Sequence, residues 1–118
     1  MDHLKMSEME FHGYTGCLED EKINGQTFIV SIDMLFHRIK GAITDELNDT
    51  VNYAELYELI KRFVTTSKGN LIENLAYEIG LIVLNYTLLP DSVIVTVYSF
   101  LPLIYLHLTL SPTLYLYK

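Results

Sequence analysis

The sequence predicts an α+β fold, an antiparallel sheet with two helices on one face, in the order β-β-α-α-β-β. Three observations carry this. Segments with strand-like alternation occupy both ends of the chain. Two segments with helical spacing lie next to each other in the middle. Strands and helices therefore fall in separate blocks, with turn signals between them.

Residues 3–11 read as the first strand, ending at the turn Gly13-Tyr14-Thr15-Gly16. Residues 26–37 make a stronger strand, because Phe28, Val30, Ile32, Met34 and Phe36 share one face at period two. The charged stretch from Glu19 to Gly25, with its Asn24-Gly25 turn signal, joins the two as a long acidic hairpin connection. Residues 41–52 are a polar connection. A helix starts near Tyr53, with Asn52 as N-cap and Glu55 as its capping-box partner. Tyr53, Leu56, Tyr57, Ile60, Phe63 and Val64 form its apolar stripe. Ser67-Lys68-Gly69 breaks that helix, and Asn70 is expected to cap a second one with Glu73 at the box position. Leu71, Leu75, Ile79, Ile82 and Val83 mark the buried side of the second helix. After Leu89-Pro90-Asp91, residues 92–100 alternate as a strand. The pattern weakens beyond Pro102, and a last strand is expected over residues 113–118. With no repeat and no linker, residues 1–118 read as a single domain.

Composition narrows the function classes. The formal net charge is −7, which argues against nucleic acid as a partner because phosphate backbones require a basic footprint. Half the residues are apolar in a chain of only 118. So short a chain buries a smaller fraction of its surface than a longer one would, and the apolar excess points to subunit interfaces as well as a core. Cys17 is the only cysteine, so there is no internal disulfide. The N-terminus lacks the basic and apolar regions of a signal peptide, and a cytoplasmic location is expected. From Ser92 to Tyr117 no Asp, Glu, Lys or Arg occurs, and a run of ~18 apolar residues is a membrane-helix candidate. Pro102, Pro112, His107 and the abundance of Val, Ile, Thr and Tyr argue instead for strands, so no membrane partner is expected. The four histidines have no metal-ligand spacing, and neither a metal nor a cofactor is expected.

Three segments carry a resemblance. They are Glu10-Phe11-His12-Gly13-Tyr14-Thr15-Gly16-Cys17-Leu18-Glu19-Asp20-Glu21-Lys22 with Gly25-Gln26-Thr27-Phe28-Ile29-Val30, then Asp49-Thr50-Val51-Asn52-Tyr53-Ala54-Glu55-Leu56-Tyr57, then Asn70-Leu71-Ile72-Glu73-Asn74-Leu75-Ala76. In this order and at these separations the chain resembles the dihydroneopterin aldolase family. The resemblance implies the tunnelling fold, whose subunits join their sheets into a barrel. The family is typically octameric, as two stacked tetrameric rings. It also implies a reaction of folate biosynthesis. The bond between the first and second side-chain carbons of 7,8-dihydroneopterin breaks, giving 6-hydroxymethyl-7,8-dihydropterin and glycolaldehyde. This retro-aldol step needs a base for the 2′-hydroxyl and an electron sink. The dihydropterin imine is that sink, so neither a metal nor a Schiff-base lysine is required.

The same resemblance assigns residues. Glu73 matches the pterin anchor, whose carboxylate accepts two parallel hydrogen bonds from the ring NH and the amino group; its ordinary reading is a helix cap. Ile72 matches the position that offers its backbone to the ring edge. Tyr53 matches a tyrosine that reaches into the neighbouring subunit's pocket, and Val51 would line the same wall; the ordinary reading of Tyr53 is a stripe residue. Glu21 matches a loop glutamate near the substrate side chain, against the reading of one more solvated charge. Cys17 reads as structural, since a lone cysteine with only His12 nearby is weak evidence for a nucleophile.

One landmark is replaced. Counting from Glu73 without a gap puts Ser99 at the family's catalytic lysine, with Pro102 and His107 near its proline and histidine. A serine supplies neither charge nor a hydroxyl that ionises near neutral pH. In a diverged relative Glu21, Tyr53, His107 or Lys22 would take over part of the proton transfer. Epimerisation of the same side chain, or pterin binding with little turnover, are the alternatives to cleavage.

Overall fold

The computed structural model describes residues 1–100 and 103–112. The chain forms strand β1 (Asp2–Gly13), a short helix α1 (Glu19–Ile23), strand β2 (Gln26–Phe36), a helical turn α2 (Gly41–Thr44) and a 3₁₀ turn (Leu47–Asp49). The helix pair α3 (Tyr53–Thr66) and α4 (Ile72–Tyr86) follows, then strands β3 (Ser92–Phe100) and β4 (Leu103–Leu110). The strands make one antiparallel sheet in the order β1-β2-β3-β4.

The period-two pattern does what it predicts. Phe28, Val30, Ile32, Met34 and Phe36 of β2 and Val93, Val95 and Val97 of β3 are all buried. They pack against Leu56, Ile60 and Val64 of α3 and Leu75, Ile79 and Val83 of α4 in one core. β4 is tied to that core by Leu110, which lies against Gly80 of α4. A Cβ at residue 80 would sit 2.6 Å from a Leu110 methyl, so a larger residue there would force the Leu110 side chain to shift.

Three expectations change, and a strand that was not expected is added. The fourth strand lies at Leu103–Leu110, whereas the strand expected over residues 113–118 falls outside the described residues. Leu106, Leu108 and Leu110 do alternate with Tyr105, His107 and Thr109, but this edge strand carries apolar groups on both faces, which blurs the period. The acidic connection contains α1, and the polar stretch 41–52 contains two short turns. The Asn70–Glu73 capping box does not form: α4 starts at Ile72, with Leu71 at its N-cap and no side-chain cap. Asn52 does cap α3, its Oδ1 accepting from the Glu55 N–H at 3.3 Å, and its amide donates to the Glu55 carboxylate at 3.0 Å.

Within the described residues the uncharged C-terminal run is strand, and no helix is long and apolar enough to cross a membrane.

Candidate functional site

Where the β1–β2 connection meets the start of α4, a cleft of about 260 Å³ opens. Four residues singled out from the sequence line it together: Glu21, Ile72, Glu73 and Ser99. They come from three separate parts of the chain, so the sheet and helix pair are what assemble them.

Glu21 is not a solvated loop charge. It sits in the first turn of α1, where its Oε1 accepts the Leu18 N–H at 3.0 Å, as a capping glutamate does. Its Oε2 accepts from the Gln26 amide at 3.0 Å. Gly16 makes room for it: φ is +158°, and a Cβ there would lie 2.6 Å from the Glu21 carboxylate carbon. The segment is laced to the α3–α4 connection by four hydrogen bonds from three residues. The Gly16 N–H donates to the Gly69 carbonyl at 3.0 Å. The Cys17 thiol donates to the Asn70 carbonyl at 3.2 Å. The Lys22 ammonium donates to the Lys68 and Gly69 carbonyls at 3.1 and 3.2 Å. These bonds hold the two lips of the cleft together. They also assign Cys17 and Lys22 to the scaffold, with Lys22 turned to backbone oxygens and absent from the cleft lining.

Glu73 stands in the first turn of α4, exposed and making no cap bond. Its carboxylate therefore makes no hydrogen bond that starts its own helix, and the positive end of that helix favours an anionic group at its position. Ile72 beside it is half-buried against the core. Ser99 is 1% exposed. It pairs with Phe28 across β2 and with Ile104 across β4, so its side chain is on the helix side of the sheet.

His107 is not on that side. It pairs with Thr96, and its Nδ1 shares a 2.8 Å hydrogen bond with the Thr96 hydroxyl. In this register Thr96 and Ser99 face opposite sides of β3. His107 therefore cannot serve the cleft of its own chain. Pro102 lies outside the described residues.

Tyr53 and Val51 lie elsewhere. They line a second cleft, of about 370 Å³, between the 41–50 turns and the start of α3. The two clefts share no lining residue. Val51 is buried, but Tyr53 is 60% exposed. It does not join the buried stripe of α3, where Leu56, Ile60 and Val64 do the packing. Next to this cleft, Asp49 accepts a 2.7 Å hydrogen bond from the Thr44 hydroxyl and faces the Lys40 ammonium at 3.5 Å. The Thr44 bond is the largest effect and holds its carboxyl below the usual range; desolvation opposes it, and the Lys40 ammonium adds smaller lowering contributions.

The sequence reading did not single out Thr15, Gln26 or Phe28, which also line the first cleft. Thr15 and Gln26 flank Glu21 in the quoted segment, so proximity to Glu21 was the available signal.

Comparison with known proteins gives a consistent result. The dihydroneopterin aldolase family pattern matches residues 4–107. The dihydroneopterin aldolase of Bacillus subtilis (strain 168) is 39% identical over 80 residues, 68% of this chain and 67% of that protein. That of Staphylococcus haemolyticus is 37% identical over 79 residues, 67% of this chain and 94% of that protein. Among solved structures, the Escherichia coli dihydroneopterin aldolase in complex with neopterin superposes with a TM-score of 0.83 at 18% identity, over 94% of this chain and 100% of that one. A uricase from Bacillus fastidious superposes with a TM-score of 0.78 at 11% identity, over 98% of this chain and 44% of that one. The structural likenesses establish the tunnelling fold, and the uricase illustrates that the fold alone does not choose the chemistry.

Proposed function

The chain belongs to the dihydroneopterin aldolase family, lyases of folate biosynthesis, and from that membership we propose how its residues bind and cleave the substrate. The dihydropterin ring enters the first cleft with its NH and amino edge on the Glu73 carboxylate and the Ile72 backbone. The trihydroxypropyl chain then runs toward Glu21. The convergence of Glu21, Ile72, Glu73 and Ser99 on one cleft is the observation that carries this reading. Neopterin in the similar Escherichia coli protein supports the ligand class.

Tyr53 belongs to a different cleft and points to solvent. It completes the pocket of a neighbouring copy, with Val51 behind it. Two features of the sheet support assembly. Among the described residues both β1 and β4 are edge strands, and edges left open invite pairing with another chain. On β4, Leu103 is 75% and Tyr105 61% exposed, which is apolar surface that a neighbouring sheet would cover. The single domain assembles as an octamer of two tetrameric rings and works in the cytoplasm.

In the reaction, a base takes the proton of the 2′-hydroxyl, the bond between the first and second side-chain carbons breaks, and its electrons pass into the ring imine. The resulting enamine takes a proton at the first carbon. Glu21 and the neighbour's Tyr53 are the groups placed to move these protons. Ser99 adds a hydroxyl but no charge to stabilise the developing anion. Pterin recognition is therefore complete while the proton carrier is weakened, and turnover is slow.

Dihydroneopterin turnover by the purified chain, measured beside Ser99→Lys, tests this. Glycolaldehyde release identifies cleavage. A changed side-chain isomer without glycolaldehyde would identify an epimerase, the second reading that the loss of the lysine favours. A chain that neither binds nor converts the pterin would refute the proposed site.

A further inference from the structure

The first cleft contains two polar atoms that the protein leaves unsatisfied. Thr15 is 2% exposed and its Oγ1 has no hydrogen-bond partner; the Oε1 of Gln26 is likewise buried and unpartnered. Both residues line the cleft. Buried polar atoms in folded proteins are nearly always paired, so two orphans on one cleft wall call for a partner from outside the chain.

Their neighbourhood narrows what that partner is. Both residues adjoin Glu21. The Gln26 amino group donates to its Oε2, and Gly16, next to Thr15, packs against its carboxylate. A carboxylate only accepts, so the Gln26 amide cannot turn over, and its Oε1 is fixed as an acceptor lacking a donor. The Thr15 hydroxyl can both donate and accept. One acceptor and one hydroxyl match aliphatic hydroxyl groups, each of which has a proton to give and lone pairs to receive. They match a flat NH-rich ring edge less well than a carboxylate does.

We propose that Thr15 and Gln26 form the subsite for the hydroxyl groups of the ligand's side chain, and so select ligands that carry them. This rests on the pterin reading of the cleft. The free protein keeps both oxygens closed to water. The ligand's hydroxyls supply the partners the chain lacks.

The test is calorimetric binding of neopterin and of 6-hydroxymethylpterin, which lacks the two outer hydroxyls, to the full chain and its Thr15→Val, Thr15→Ser and Gln26→Leu variants. Thr15→Val and Gln26→Leu should each weaken neopterin about tenfold, the effect of one hydrogen bond. Both should leave 6-hydroxymethylpterin unchanged, and Thr15→Ser should bind neopterin as the natural chain does. Thr15→Val should not lower Tm, since it removes a hydroxyl that has no partner in the fold. Unchanged neopterin binding in both Thr15→Val and Gln26→Leu, or equal weakening of both ligands, would overturn the subsite while leaving the pterin reading intact. Failure of the natural chain to bind either ligand would remove the pterin reading and the subsite with it.

Discussion

The two clefts that hold the candidate residues are built on different terms. The first is anchored to the core. Its wall includes buried Ser99 and Phe28, and its lips are tied together through Gly16, Cys17 and Lys22. The second is made of short turns and the start of α3, and its principal side chain, Tyr53, is largely in solvent. The first is preorganised by one chain, so its geometry survives without a ligand. The second leaves its principal side chain uncovered, and in the proposed assembly another copy would cover it.

The largest expected effect is on the first cleft. Ser99→Lys should raise dihydroneopterin turnover ~10²–10⁴-fold, the usual worth of a positioned acid–base group, as measured by glycolaldehyde release. Because residue 99 is 1% exposed, the same change should lower Tm, since the added ammonium has to be partly desolvated. An unchanged rate in a folded variant would mean that the acid–base role does not depend on this position.

Next is Glu73→Gln. Replacing the carboxylate removes at least one charge-assisted hydrogen bond, so neopterin should bind roughly 10- to 150-fold more weakly by calorimetry. Stability should stay within about 0.5 kcal/mol, because Glu73 makes no capping bond. A large fall in Tm would return Glu73 to a structural role.

In the second cleft the order reverses, and stability responds first. Asn52→Ala removes the cap of α3 and should cost about 1 kcal/mol in denaturant unfolding. Tyr53→Phe should leave stability unchanged while slowing turnover, since the hydroxyl of an exposed tyrosine does no packing. The smallest effect concerns Asp49. Its carboxyl is held low chiefly by Thr44. A folded-state value below the unfolded one contributes stability above the ordinary carboxylate range, which is lost as pH falls through the lowered value. Thr44→Val should move the Asp49 titration upward, as read by NMR, and make the 41–50 turns less sensitive to acid.

The sequence made some of this legible and hid the rest, for physical reasons. β2 and the helix pair were readable because one face of each is uniformly buried, and period then reports burial directly. β4 was not, because an edge strand with apolar residues on both faces has no dominant period. Asn52 caps its helix as its pattern predicts and Asn70 does not: the two segments look alike, but at Leu71–Ile72 the backbone enters the helix a residue later. Glu21, Glu73 and Ser99 were identifiable from the resemblance. The displacement of His107 to the other face depends on the β3–β4 register, and Thr15 and Gln26 emerge only once their oxygens are seen to lack partners.

In the proposed assembly one working pocket takes Glu73 from one chain and Tyr53 from another. Complementation tests it most directly. Glu73→Ala and Tyr53→Ala chains, each deficient in neopterin binding alone, are unfolded, mixed and reassembled, and binding is measured on the mixed oligomer. If the pocket is shared, random mixing regenerates intact sites at about a quarter of positions, and tight neopterin binding returns at that stoichiometry. Mixed oligomers that form but recover no tight binding would contradict the account.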